Sequence, residues 1–118
     1  MTLQRVDRDD GARILRASGE LDVVVVPALL PSVTGLVDGV SAVVLDLTDV
    51  TFFDSSGVRL VDRLMRECAR AGPGFRVVAP RGHPARRVLE IVGLAGSLVA
   101  EDLAAALEGA LGAARTES

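Results

Sequence analysis

The chain has 118 residues, of which 49% are hydrophobic and 3% aromatic, and its formal net charge at pH 7 is −3. This length fits one domain, and the apolar content is sufficient for a buried core. Because the charge balance is acidic and no basic stripe or aromatic ladder is present, direct nucleic-acid binding is disfavoured.

The first half of the chain predicts three strands and one helix. Residues 3–7 and 12–18 are short strand candidates, and the Asp10-Gly11 dipeptide between them is typical of a tight hairpin turn. Apolar residues at helical spacing predict a helix over about residues 27–39. Residues 43–47 form an apolar run interrupted only by Asp46, which is typical of a strand covered on both faces.

The second half alternates helices and strands. A helix over about residues 57–70 has one apolar face, formed by Val61, Leu64, Met65 and Cys68, and one charged face, which includes the acid–base pair Asp62 and Arg66. Residues 75–79 predict a strand, residues 84–92 a helix, residues 97–100 a short strand, and residues up to 111 a last helix. We expect a core over about residues 3–111 and a frayed end at residues 112–118.

Several chemistries are excluded by residue types that the sequence lacks. All 13 basic residues are arginine, so a phosphate-loop lysine and a Schiff-base lysine are absent. The single cysteine, Cys68, excludes an intrachain disulfide, disfavours a thiolate metal site and is expected to be a buried, inert thiol. No signal-peptide core precedes the first strand, and the longest apolar run, residues 23–30, is too short to span a bilayer. We therefore expect a cytoplasmic protein with no membrane insertion, no metal and no cofactor.

The stretch D-S-S-G at residues 54–57 separates a strand from a helix and has more than one interpretation. Asp and Ser are preferred helix N-caps because their side-chain oxygens accept free backbone N–H groups. A cap needs one acceptor, however, and Asp54, Ser55 and Ser56 provide three in a row. Neither serine is followed by the acid or amide of a capping box, since Val58 and Arg59 stand at those positions.

A nucleophilic serine is disfavoured by the residues around it. The hydrolase motif G-x-S-x-G requires a glycine where this chain has Phe53 or Asp54. The one histidine available as a base, His83, lies in a loop before a helix, where a surface or capping role is expected.

A phosphoacceptor aspartate, as in receiver domains, is also disfavoured. Asp46 would be the acceptor, and Asp9 and Asp10 would be the metal-binding acids. Receivers use a lysine, which this chain lacks, and the two acids belong to a hairpin turn. We expect Asp46 to be a polar residue at the end of a strand, bonded to nearby backbone.

A phosphorylatable serine is the remaining interpretation. A phosphate adds about −1.5 to −2 charges, which a helix N-terminus tolerates. Beside Asp54 the phosphate would prevent a partner from binding at this corner, and the domain need not unfold for this effect. A binding penalty of about 3 kcal/mol weakens binding roughly a hundredfold.

Three stretches of the sequence resemble a known family. They are G-E-L-D at residues 19–22, V-V-L-D-L-T-D-V-T-F-F-D-S-S-G-V at residues 43–58, and V-L-E-I-V-G-L at residues 88–94. Together they resemble the STAS domain and, within it, the stand-alone anti-sigma factor antagonists of bacteria. The resemblance implies one α/β STAS domain over residues 1–118, with a mixed sheet of about five strands packed by about four helices.

The resemblance also implies a function. Such antagonists bind an anti-sigma factor that is a serine kinase, and this binding frees the sigma factor. The kinase phosphorylates the first serine after the aspartate, here Ser55, and a serine phosphatase reverses the modification. The protein is thus a substrate and a ligand, not an enzyme. The partner surface implied by the resemblance comprises Asp22, Asp54, Ser56, Gly57, Val58 and Arg59.

An alternative of another class remains. A STAS module can serve as a structural or regulatory subunit, for example in a lipid-transport or stress-sensing assembly, without a serine switch. The intact D-S-S-G favours the antagonist, and homodimerisation is left open.

The start of the first helix departs from the family pattern. Val25 stands where a hydroxyl cap is often found, and Pro31 follows Pro27, so this helix is expected to start late or bend. Residues 23–26 form either an exposed apolar contact or part of the core.

Overall fold

The computed structural model describes residues 1–117, with side chains through residue 114. Its strands are β1 (Thr2–Asp7), β2 (Ala12–Leu21), β3 (Ala42–Phe53), β4 (Gly74–Val78) and β5 (Val99–Ala100). Its helices are α1 (Val25–Leu29), α2 (Val33–Val37), α3 (Ser55–Ala71), α4 (Pro84–Ile91) and α5 (Leu103–Glu117), with 3₁₀ turns at Leu30–Ser32 and Gly96–Leu98. Among residues 1–117, no helix combines the length and apolar character needed to cross a bilayer.

The five strands form one mixed sheet in the order β1-β2-β3-β4-β5. β1 pairs antiparallel with β2 through the hairpin, and the other neighbours are parallel. The first helix starts at Val25, earlier than predicted, so the expected late start is wrong. A 3₁₀ turn that contains Pro31 divides it into α1 and α2, with helical backbone angles at both junctions. If this segment is counted as one helix, four helices pack on the sheet, which confirms the predicted fold class.

Helices cover both faces of the central strands. On β3, the side chains of Val43, Leu45 and Leu47 belong to the larger core cluster, which is shared with α1 to α4. Ala42 and Val44 belong to the smaller cluster, which α5 covers. The alternation follows from the two-residue period of a strand and confirms that residues 43–47 are buried on both sides.

The structure corrects several predicted boundaries. β3 does not end near residue 47 but continues to Phe53, pairing beyond Asp46 with β2 alone. The extension beyond residue 47 has one neighbouring strand and several exposed positions, so its residues are partly polar. Sequence analysis therefore did not predict it as a strand. Asp46 is therefore inside a strand and not at its end; its Oδ1 accepts hydrogen bonds from the backbone N and Oγ1 of Thr48 (3.0 and 2.6 Å).

The last elements also differ from the prediction. Residues 97 and 98 belong to a 3₁₀ turn, so β5 has two residues. The expected frayed end overlaps α5, which is described to Glu117, and Ser118 lies outside the described residues.

A buried arginine joins β1 and β2 to the end of α2. Arg13 is 4% exposed, and its Nε donates to Oδ1 of Asp7 at 2.7 Å. Its Nη1 donates to the carbonyl oxygens of Leu36 and Asp38, both at 3.0 Å, which are acceptors that a helix end leaves without partners. Hydrogen bonds from Arg13, and then from Arg5, hold the pKa of Asp7 well below its ordinary value.

A tight contact joins β3 to α3. Phe53, the last residue of β3, is 6% exposed. A Cβ placed on Gly57 would lie 2.5, 2.6 and 2.9 Å from three carbons of the Phe53 ring. Only glycine leaves room for the ring at this position.

The Asp7 carboxylate predicts a specific pH dependence of stability. Because its pKa is lower in the folded protein than in the unfolded chain, its stabilising effect is complete above about pH 4 and is lost as pH falls below that value. We expect Asp7→Asn to lower the free energy of unfolding at pH 7 and to differ less from the wild type at pH 3, as measured by urea unfolding. In an Arg13→Gln background the pH-dependent difference should shrink, whereas a difference between Asp7→Asn and wild type that is constant with pH would contradict this account.

The Phe53–Gly57 contact predicts whether replacing Gly57 by alanine stabilises or destabilises the protein. Alanine in a helix interior is favoured over glycine by up to about 1 kcal/mol, but overpacking a core costs about 1–3 kcal/mol. We therefore expect Gly57→Ala to destabilise the protein. Gly35→Ala is the matched control, since Gly35 is an exposed helical glycine whose added Cβ meets nothing within 4 Å. Equal urea midpoints for the two variants would show that the ring contact is unimportant.

Candidate functional site

Two of the predicted site segments meet at one edge of the sheet. β2 and β3 are parallel, and their last residues, Leu21 and Phe53, are register partners. Asp22 and Asp54 therefore leave the sheet side by side, although they are 32 positions apart in sequence. The carboxyl edge of parallel strands is where open α/β folds usually place their sites.

Asp54 is the N-cap of α3. Its backbone is extended (φ −127°, ψ −159°), and its Oδ1 accepts a hydrogen bond from the backbone N of Ser56 at 2.8 Å. Its carbonyl oxygen accepts from the backbone N of Val58 at 3.2 Å, which is the first bond of the helix. Asp54 thus starts the helix at Ser55, two residues before the predicted start, and neither serine is needed as the cap.

The two serines have different environments. Ser55 is exposed as the first residue of α3, and no hydrogen bond or ion pair of its side chain occurs among the described residues. Ser56 is 6% exposed. A modifying enzyme therefore has access to the hydroxyl of Ser55 and not to that of Ser56.

Asp22 precedes α1 and bonds to the backbone at its start, although the N-cap position itself is Val24, which makes no side-chain cap bond. The Oδ1 of Asp22 accepts from the backbone N atoms of Val24 and Val25, both at 3.0 Å, and its carbonyl oxygen accepts from the backbone N of Val26 at 3.0 Å. This carboxylate replaces the hydroxyl cap that Val25 cannot provide. The Oδ1 atom of Asp22 thus has a structural role, although the Asp22 side chain remains partly exposed.

The valines after Asp22 divide between surface and core. Val23 and Val24 are 69% and 77% exposed, whereas Val26 is completely buried. Val23 and Val24 therefore form the exposed apolar surface that was one interpretation of residues 23–26, and Val26 belongs to the core, which was the other.

The remaining predicted contact residues divide in the same way. Gly57 is buried against Phe53, Val58 is half-buried beside the larger core cluster, and Arg59 is exposed. Ser56 and Gly57 therefore support the loop from within. The groups that a partner can reach are Asp22, Asp54, Ser55, Val58 and Arg59.

The charged face of α3 is largely paired with itself. Arg66 lies 3.0 Å from Asp62, as the spacing predicts, and Arg63 and Arg70 lie 3.4 and 2.8 Å from Glu67. Over the described part of the chain, Arg59 is the one α3 arginine without a carboxylate within 4.0 Å.

The residues considered for other chemistry have structural roles. His83 is the N-cap of α4, and its Nδ1 accepts from the backbone N of Ala85 at 3.0 Å, which confirms the capping role. Cys68 is 1% exposed, and burial, together with the nearby Glu67, raises the pKa of its thiol to about 12, as expected for an inert thiol. Oδ1 of Asp10 accepts from the backbone N of Ala12 in the hairpin turn. Among the side chains that the structure describes, through residue 114, there is no cluster of three or more able to hold a metal ion.

Phe52 is the surface residue near the site that the sequence did not reveal. It is 47% exposed and pairs in register with Glu20, beside the end of β2. Strand alternation indicates that one of the two adjacent phenylalanines faces outward, but it does not say which one.

Comparisons with known proteins agree with this geometry. The family model described as the STAS domain matches residues 4–110. An anti-sigma factor antagonist from Mycobacterium paratuberculosis is 31% identical, with a TM-score of 0.80 over 92% of each chain. The Bacillus cell fate determinant SpoIIAA, in its phosphorylated form, is 27% identical, with a TM-score of 0.64 over 86% of this chain and 92% of that chain.

A sulfate transporter family protein from Wolinella succinogenes is 18% identical, with a TM-score of 0.67 over 96% of this chain and 93% of that chain, and this likeness concerns the fold alone. No curated protein matches the chain. The family model covers nearly the whole chain, and the mixed sheet is the one that the resemblance implied. The chain belongs to the STAS domain family and is similar to the anti-sigma factor antagonists within it.

Proposed function

We propose that this protein is an anti-sigma factor antagonist that acts in the cytoplasm. In its unphosphorylated form it binds a kinase-type anti-sigma factor, which then releases its sigma factor. Phosphorylation of Ser55 switches this binding off, and a serine phosphatase restores it. The observation that carries the proposal is the exposed Ser55 hydroxyl, which stands free at the start of α3 because Asp54 provides the cap.

The similarity to other proteins supports the same function. The relative from Mycobacterium paratuberculosis is described as an anti-sigma factor antagonist, and the Bacillus structure is that of a phosphorylated protein. Neither description refers to an enzyme that acts on small molecules. In this proposal the chain is a ligand and a kinase substrate, with no cofactor and no direct contact with nucleic acid.

The geometry of the loop suits a switch that acts at the surface. The cap bond from the Ser56 backbone N to Asp54 does not involve the Ser55 side chain, so a phosphate can be added without opening the helix. The phosphate would carry about −1.5 to −2 charges beside Asp54 and Asp22. A partner surface that accepts the neutral hydroxyl then meets a concentrated negative charge, which it must desolvate or exclude.

The first test is phosphosite mapping by mass spectrometry on protein isolated from its own host, in growth and in stress. We expect a phosphate on Ser55, with an occupancy that changes between the two conditions, and none on Ser56. A pull-down with unphosphorylated protein should recover a kinase-like anti-sigma factor. If the protein is abundant and Ser55 carries no phosphate in either condition, the proposed switch is wrong and the regulatory-subunit alternative is favoured.

Ser55 variants test the switch quantitatively once this partner is in hand. Ser55→Ala should bind constitutively, whereas Ser55→Glu should weaken binding up to roughly a hundredfold, equivalent to about 3 kcal/mol, as measured by calorimetry. Ser56→Glu places a charge at a buried position, so we expect it to lower the free energy of unfolding before it affects partner binding. Equal affinities for Ser55→Ala and Ser55→Glu would contradict the proposed surface mechanism.

The exposed arginines near Ser55 predict a second contact. We expect Arg59→Glu combined with Arg63→Glu to weaken partner binding, mainly by slowing association at low salt. Arg8→Glu is the matched control, because Arg8 is an exposed arginine at the opposite end of β2, where the hairpin turns. Unchanged association rates in the double variant would remove this face of α3 from the interface.

A further inference from the structure

Arg59 is an unusual residue on α3. Each of the other α3 arginines has a carboxylate within 3.4 Å, whereas Arg59 has none within 4.0 Å among the described residues. The nearest acid along the helix, Asp62, lines the same cleft as Arg59 but is engaged by Arg66 at 3.0 Å. The Arg59 guanidinium is therefore exposed, charged and available.

Arg59 follows Ser55 by four residues within one continuous helix. Residues at this spacing lie one above the other on the same face, about 5–6 Å apart at their Cβ atoms. Helical side chains generally lean towards the N-terminus, so the long Arg59 side chain can reach Ser55 by a change of rotamer from the cleft that it lines with Asp62. Both residues are exposed, and no described side chain occupies their shared face by bonding to either one.

We propose that a phosphate on Ser55 forms an intramolecular ion pair with the guanidinium of Arg59. This inference rests on the proposed function in one respect, namely that Ser55 is the residue that is phosphorylated. A guanidinium is planar and binds phosphate through two parallel hydrogen bonds, which suits this pairing better than a lysine ammonium would. No other α3 arginine is both one turn from Ser55 and unpaired.

The pair would change the partner-facing surface in two ways at once. The phosphate adds negative charge beside Asp22 and Asp54, and it withdraws the one unpaired α3 cation from the partner. An acidic group of the partner that met Arg59 in the unphosphorylated complex would then meet a neutralised arginine next to a dianion. The same covalent change thus adds a repulsion and removes an attraction, while the helix and its cap stay intact.

The test uses the full chain with phosphoserine incorporated at position 55 during translation, so it does not depend on any kinase or partner. The second ionisation of the phosphate is followed by ³¹P NMR in the wild-type background and in Arg59→Gln. An opposite charge nearby favours the dianion, so we expect the titration midpoint in Arg59→Gln to lie about 0.3 pH units higher, the size of an exposed pair at this spacing. The Nε–Hε signal of Arg59 should also shift on phosphorylation.

Arg66→Gln is the matched control, because it removes an arginine of the same helix that is already paired with Asp62. Its midpoint should equal that of the wild type, and the Arg59 effect should fade at about 1 M salt, where exposed charges are screened. Equal midpoints in wild type and Arg59→Gln would overturn the pair. Equal shifts in Arg59→Gln and Arg66→Gln would also overturn it, since the effect would then come from net charge alone.

The outcomes for the two proposals are separable. If Ser55 is never phosphorylated in the host, the switch fails even though the titration can still show the pair. If the host phosphorylates Ser55 but the midpoints do not differ, the switch stands and the pair fails. With a recovered partner, the loss of affinity on phosphorylation should be smaller in Arg59→Gln than in wild type by about twofold, the fold-change that corresponds to the same midpoint shift.

Discussion

The parallel register of β2 and β3 is the constraint on which the site depends. It pairs Leu21 with Phe53, so two strands that are separated by a whole helical segment end at the same level of the sheet. After β2 and after β3 the chain turns out of the sheet, in each case at an aspartate. Two register shifts, between Arg16 and Ser18 and between Gly19 and Glu20, set this final pairing, and the buried Leu21 and Phe53 hold it in place through the core.

Each aspartate at this edge is used first to begin a helix. Asp22 accepts from the backbone of Val24 and Val25, and Asp54 accepts from the backbone of Ser56. The two acids therefore satisfy backbone N–H groups that would otherwise need water. As a consequence, the hydroxyl of Ser55 is not consumed by capping and remains exposed. Asp54 thus provides the cap, and this leaves the Ser55 hydroxyl accessible for the phosphorylation that we propose.

Rigid supports surround this exposed group. The Phe53 ring fills the space beside Gly57, and the half-buried Val58 packs against the core below the first turn of α3. At the opposite end of the sheet, Arg13 joins β1 and β2 to the end of α2 through hydrogen bonds of its buried side chain. A phosphate can therefore change the charge of the edge while the architecture beneath it stays the same, which is what a switch at a binding surface requires.

The sequence by itself determined the order of most elements, the apolar strand at residues 43–47 and the family, because strand and helix periods and the D-S-S-G motif are local properties. It did not reveal that β3 continues to Phe53, since the polar residues there are typical of a loop and only pairing with β2 makes them a strand. Nor did it show that Ser55 is exposed and Ser56 buried, although the resemblance named Ser55, or that Val23 and Val24 are exposed and Val26 buried. Neighbouring residues of equal polarity differ only in the direction of their side chains, and that direction is decided by the cap and by the core that the tertiary structure brings together.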